Sequence, residues 1–269
     1  VKGILNMLHD KDNLNDEEKK IADEYYNLEK AKIILDDKNK HKTITDSEKK
    51  EILELKKLVK QSEKKISNIR IKVSEKIKKN FNNIGYNVDY KLLNSANYGV
   101  PQLRERVIFI ATRNDLGLNI TFPIPTHSKD GTNNTKKWVT VKNAIDDLKS
   151  KPEDIDFSHI INKHSPEVIE KIKNTPCGKA VNPKYSEANF RCLPNQPSNT
   201  VKENHGAVFV HYENNRSMTP RELARLQSFP DNFKFKGTKT SILKQLGNAV
   251  PCLLAQNIAK NVKNMYKKS

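Results

Sequence analysis

The chain has 269 residues, and 49 Lys and Arg against 32 Asp and Glu give a formal net charge of +17. Hydrophobic residues make up only 35%, and the longest apolar run is Val107 to Ala111, far short of the roughly 20 residues that a membrane-spanning helix needs. A helical membrane protein is thereby excluded, and the charge points to a polyanionic partner, nucleic acid before an acidic membrane surface.

Cys177, Cys192 and Cys252 are too few and too scattered for a disulfide framework or a metal cluster, so a reduced, intracellular protein without a metal site is expected. Residue 1 is Val, and the opening Val1-Lys2-Gly3-Ile4-Leu5 reads as the middle of a longer sequence. From about Asn15 to Asn80 the chain is rich in Lys, Glu, Asp, Ile and Leu and has no Gly or Pro. Asn15 and Thr45 are each followed three positions later by Glu, a helix-start pattern. Ile52, Leu55, Val59, Ser62, Ile66, Ile69 and Val73 then recur at steps of three and four, one seam of a long helix. A weaker seam, Ile21, Tyr25, Leu28 and Leu35, precedes the polar turn Asp36 to Lys42. The pair predicts a long antiparallel helical hairpin, read as a solvated structural arm in preference to the alternative of a dedicated binding surface.

Gly85 ends that pattern. Asn87 to Leu92 alternates like a strand, and Arg106 to Ala111 has the composition of a fully buried one. Between them Asn97-Tyr98-Gly99-Val100-Pro101 is a turn-rich loop. Prolines punctuate the chain from Asn114 to about Asn215, leaving short helices at Val141 to Leu148 and Ser165 to Lys173. Thr219-Pro220-Arg221-Glu222 is a capping box with Pro at the first helical position. A last helix starts near Pro251, with Leu254, Ile258, Val262 and Met265 on one face.

Two stretches carry candidate chemistry. In extended chain, Gln102, Arg104 and Arg106 share a face. An amide and two guanidinium groups there suit a phosphate, a carboxylate or a base carbonyl, or else a plain ion pair at the surface with Glu105. Gly247-Asn248-Ala249-Val250-Pro251 reads as a loop before a helix. It offers backbone N–H groups and an amide to a ligand, or is an ordinary helix start.

Taken in order, these pieces resemble the DNA cytosine-5 methyltransferase family. Asn97 to Val107 resembles its Gln-x-Arg-x-Arg motif with the preceding loop, Thr219 to Asp231 its ninth motif, and Gln245 to Pro251 its tenth. Val1-Lys2-Gly3 resembles the end of its Glu-Asn-Val-Lys-Gly motif. The resemblance covers residues 1–5 and most of 82–259 and leaves the hairpin outside. It implies an α/β fold: the C-terminal part of a Rossmann-like methyltransferase domain over 1–113, with the hairpin inserted at about 15–80. A small mixed target-recognition domain would cover 114–215, and 216–269 would return to the catalytic domain.

The resemblance further implies methyl transfer from S-adenosylmethionine to C5 of a cytosine flipped out of double-stranded DNA, in a bacterial restriction-modification setting in the cytoplasm, near the nucleoid. Arg106 would approach the cytosine at its O2 edge, with Gln102 and Arg104 shaping that pocket. Asn248, Ala249 and Val250 would line the cofactor pocket, and Thr200 and Val201, within Pro197-Ser198-Asn199-Thr200-Val201, would lie near the extruded base. The family's nucleophile is a Cys in a Pro-Cys loop. Pro176-Cys177 and Pro251-Cys252 sit in the wrong places for it, so the nucleophile, the glycine-rich cofactor turn and the pocket Glu are expected before Val1. The chain would then be inactive alone, an incomplete enzyme that needs its N-terminal half from the same polypeptide or a second subunit. The alternative is a non-catalytic DNA-recognition subunit of a split methyltransferase.

Overall fold

The computed structural model describes residues 20, 23, 46–182, 189–203 and 209–267. The chain divides into two compact units, Val1–Gly85 and Tyr86–Ser269.

In the first unit, helix α1 runs unbroken from Asp46 to Asn83, 38 residues. With no Gly or Pro inside it, nothing interrupts the ladder until Gly85, whose φ of +85° suits only a residue without a Cβ. Of the predicted seam, Ile52 is buried while Val73 is 41% exposed. The first helix of the predicted hairpin lies outside the described residues.

The second unit begins with an antiparallel pair, β1 (Tyr86–Asn94) and β2 (Glu105–Arg113), in register from Tyr86↔Arg113 to Asn94↔Glu105. A 3-10 turn at Ser95–Tyr98 joins them, and its cap Gly99 has φ +83°. Leu93 packs with Tyr98, Val100 and Leu254, and Ile108, Leu253 and Ile258 pack against this cluster. One sheet face is thereby covered by the last helix. On the other face the rings of Tyr90 and Phe109 lie 5.2 Å apart, and the cross-strand pair Leu92 and Val107 is more than half exposed. The expectation of a fully buried second strand is therefore corrected. It is apolar from Val107 to Ala111, but among these residues only Ile110 is buried, and Val107 is exposed.

Short parallel pairs follow, β3 (His127–Ser128) with β4 (Lys136–Lys137) and β5 (Phe190–Arg191) with β6 (Phe209–Val210). The helices are α2 (Val141–Ile145), α3 (Pro166–Lys173), α4 (Pro220–Leu226), α5 (Lys239–Asn248) and α6 (Cys252–Tyr266). The capping box that starts α4 is fully formed: the Glu222 N–H donates to Thr219 Oγ1 and the Thr219 N–H to Glu222 Oε2. The same carboxylate takes a fork from Arg216 at 2.9 and 2.8 Å. Along α6, Leu254 and Met265 are buried and Ile258 and Val262 half-buried, so the predicted face is the inward one.

Helix α5 was not read from the sequence. Its Thr238 cap and its buried Ile242 and Leu246 are present, but Gly247 was read as loop. In the structure Gly247 and Asn248 form the last turn of α5, and only Ala249, Val250 and Pro251 link it to α6. The main core joins Val141, Ile145, Cys192, Val201, Phe209 and Tyr212 to Met218, Leu223, Leu226, Ile242 and Leu246. The proline-punctuated stretch and the segment after it thus share one set of buried side chains. Arg191 braces this region from within, donating to the carbonyls of Ile172, Thr175, Tyr212 and Glu213 at 2.9–3.3 Å.

Candidate functional site

Four stretches far apart in sequence meet where β2 begins. Residues 101–103 run beside residue 198: the Ser198 N–H donates to Pro101 O (3.0 Å) and the Leu103 N–H to Ser198 O (2.7 Å). Thr200 extends this contact by donating its hydroxyl to Leu103 O at 2.9 Å. Gln102 is fully buried and works from both ends. Its Nε2 donates to Leu226 O at the end of α4 (3.3 Å), and its Oε1 accepts from the Val201 N–H (3.2 Å).

Arg104, 4% exposed, completes the junction. Nη1 donates to Val201 O at 2.9 Å and Nη2 to Gly247 O at 3.1 Å. Burial, and then the charge of Arg106, bring its pKa down to about 10, so it stays cationic at neutral pH. The Arg104 carbonyl in turn accepts from the Ser95 N–H and hydroxyl, each at 3.0 Å. Gln227 ties the two helix ends together: its side-chain Nε2 donates to Leu246 O, and its main-chain carbonyl accepts from the Cys252 N–H.

Gly247 is required by a close approach. A Cβ there would stand 2.3 Å from the Glu203 nitrogen and 2.5 Å from its Cα. No side chain fits between the end of α5 and the backbone after Val201.

The predicted trio therefore does not share a face. Gln102 and Arg104 precede β2 and turn inward to main-chain partners, whereas Arg106, within the strand, is exposed and among the described residues bonds only Glu105 O, at 2.7 Å. Strict alternation fails because the strand starts at Glu105. Of the other predicted residues, Val201 is buried, Thr200 and Ala249 are half-buried, Asn248 is exposed in the last turn of α5, and Val250 is exposed on the short link after it.

Sequence reading did not single out Gln227, Ser198 or Gly247 for this junction. A glycine within a capped helical pattern was the one available signal for Gly247. Of the cysteines, Cys252 has its thiol pushed up by burial, the reverse of what a thiolate nucleophile needs. The Cys177 thiol donates to Tyr212 O at 3.3 Å.

Residues 56–264 match the family model for C-5 cytosine-specific DNA methylase. The chain belongs to that family. It is 38% identical over 206 residues to the type II methyltransferase M1.HphI of Haemophilus parahaemolyticus, covering 72% of this chain and 52% of that protein. To M.NgoFVII of Neisseria gonorrhoeae it is 35% identical over 200 residues, 71% of this chain and 54% of that one. The chain thus spans about half the length of the curated relatives it matches. A crystal structure of a DNA modification methyltransferase encoded within an E. coli prophage aligns with a TM-score of 0.58 at 25% identity, covering 76% of this chain and 66% of that one. The mixed α/β content agrees with that likeness.

Proposed function

We propose that this chain forms the target-recognition part and one wall of each pocket of a DNA cytosine-5 methyltransferase. The observation that carries the reading is the contrast within Gln102-x-Arg104-x-Arg106: two side chains are locked into distant backbone, and the third is exposed near the start of β2 with a bond only to the adjacent Glu105 carbonyl among the described residues. A guanidinium set two residues beyond a buried, doubly bonded one is preorganised, because its backbone cannot retreat when a ligand arrives.

A thiolate supplied by the N-terminal half would add to C6 of the flipped cytosine. C5 would then take the methyl group from S-adenosylmethionine, which leaves as S-adenosylhomocysteine, and loss of the C5 proton would expel the thiolate. Negative charge builds in the ring as the thiolate adds, and Arg106 offsets it at the O2 edge. Gln102 and Arg104 act one step back, as positioning residues that hold the start of β2 against residues 198–201 and the end of α5. Thr200 and Val201 are held at the same junction, beside the extruded base.

The cofactor implied by the family is S-adenosylmethionine, which supplies an electrophilic methyl group when bound. The link after α5 fits one side of such a molecule. Asn248, in the last turn of α5, would offer an exposed amide to its polar edges and Val250, on the link, an exposed alkyl group to its ring, on backbone that Gly247 fixes by close packing. The nucleophilic thiol and the rest of the cofactor site belong, in this reading, to the N-terminal half, in the same polypeptide or in a partner subunit. The β1–β2 pair is then the end of a Rossmann-like sheet, residues 114–215 are the recognition domain, and 216–269 return to the catalytic domain.

The test is Arg106→Ala in the complete enzyme, with this chain joined to or mixed with its N-terminal half. Single-turnover methylation at saturating DNA should fall about 10²–10³-fold, with equilibrium duplex affinity changed only a few-fold. Methylation at the parental rate would refute the role given to Arg106.

A further inference from the structure

Helix α1 carries a charge asymmetry that the methyl-transfer reading does not use. Over Asp46–Asn83 the sequence has 12 Lys and Arg against 6 Asp and Glu, a surplus of 12 − 6 = +6 within the chain's +17. Lys50, Lys56, Lys57 and Lys60 are all exposed. At 100° per residue they fall within about 120° of arc and span about 15 Å along the axis. Ile52, about 160° round the helix from Lys50, is buried. The helix therefore turns an apolar position inward and a row of ammonium groups outward. Among the described side chains between 50 and 60, Glu54 is the only exposed carboxylate.

The geometry points to this outer face of α1 as a second, sequence-independent contact for the phosphates of duplex DNA. The inference rests on the reading of the chain as part of a DNA-acting enzyme. About 15 Å of duplex axis carries on the order of nine phosphates, so a rigid row of this length can meet several at once. Four ammonium groups on flexible stems suit such a polyanion, because each is a point charge that needs no fixed partner geometry. A membrane surface is the weaker match. An interfacial helix needs a broad apolar face with Trp, Phe or Leu to insert. Here the exposed arc has one large apolar residue, Leu53. A contact of this kind raises affinity for any duplex long enough to reach the arm. It leaves the chemical step alone, so turnover at saturating DNA should survive its loss while KM for DNA rises.

The experiment compares the full chain with a Lys50→Gln/Lys57→Gln/Lys60→Gln variant, by fluorescence anisotropy on a 30-base-pair duplex across a salt series. Circular dichroism checks that the helix is retained, and the matching triple Lys→Arg variant restores the charge. If the three lysines meet phosphates, the slope of log affinity against log salt flattens by about 2.7 in the Gln variant, ~0.9 per contact, and returns in the Arg variant. An unchanged slope in the Gln variant overturns the inference alone. A parental chain that binds no duplex overturns the DNA-acting reading and the inference with it. Sedimentation with phosphatidylserine vesicles that excess duplex cannot compete away would assign the face to a membrane and overturn the inference.

Discussion

Replacing Gly247 by Ala separates two opposing effects by sign. Helix propensity alone favours Ala over Gly by about 1 kcal/mol, and Gly247 lies in the last turn of a helix. The packing argument says the reverse. The added methyl carbon would lie 2.3 Å from the Glu203 nitrogen, 2.5 Å from Glu203 Cα and 2.7 Å from the Lys202 carbonyl carbon. All three are main-chain atoms, so no side chain can swing aside. Restoring an ordinary contact of about 3.5 Å moves the end of α5 by more than ~1 Å. That stretches the bond from Arg104 Nη2 to Gly247 O, now 3.1 Å, beyond useful length. Overpacking costs about 1–3 kcal/mol, and a buried charged donor left without its acceptor adds a further 1–3, roughly. After the helix gain is subtracted, a net loss of about 1–5 kcal/mol is expected. In a unit of this size each kcal/mol lowers Tm by about 2–4 °C, so thermal unfolding followed by circular dichroism should move down by roughly 2–20 °C. A Tm that is unchanged or raised would refute the close-approach argument and leave propensity in command.

Two further outcomes follow from the same junction and from the core beside it. Arg104→Met strands the carbonyls of Val201 and Gly247 without a donor and should cost about 2–5 kcal/mol in urea unfolding. Arg106→Ala, on an exposed side chain, should stay within about 0.5 kcal/mol, and equal losses for the two variants would contradict the division of roles. Acid should also weaken the fold: buried His211 accepts at Nδ1 from the N–H groups of Glu213 and Asn214, which requires the neutral ring. Burial first, and Arg216 against the pull of Glu222, lower its pKa from 6.5 to about 4. Between those values the unfolded chain takes up a proton that the folded one refuses, so stability present above pH 6.5 drains away as pH falls toward 4, by up to about 3 kcal/mol. Burial depresses His159 and His164 in the same direction. Urea midpoints at pH 7.5 and pH 5 test this, and equal or greater stability at pH 5 would rule it out.

Much of the local structure was legible because its causes are local. The capping box at Thr219 and Glu222, the Ser165 cap of α3 and the inward face of α6 all rest on residues within a few positions of one another. The parts that misled depend on distant partners. Gln102 and Arg104 looked like strand neighbours of Arg106, yet their hydrogen-bond partners lie 97 to 143 residues away. Those partners draw residues 102–104 out of the alternation that starts at Glu105. The apolar composition of β2 announced a strand, but composition does not say which faces are covered, and Val107 stands half exposed. Helix α5 was missed for a related reason. A glycine beside Asn and shortly before Pro is ordinary loop chemistry, and only the proximity of Glu203 explains why a helix tolerates it there.

The partners at this junction are chiefly main-chain atoms. Gln102 bonds Leu226 O and the Val201 N–H, Arg104 bonds Val201 O and Gly247 O, and Thr200 bonds Leu103 O. Every residue has a carbonyl, and every residue but Pro has an N–H. The junction is therefore indifferent to which side chains occupy its acceptor positions, provided the backbone can come as close as Gly247 allows. In this chain two buried polar side chains, Gln102 and Arg104, hold backbone, and Arg106 alone of the trio is exposed, within the strand that they anchor.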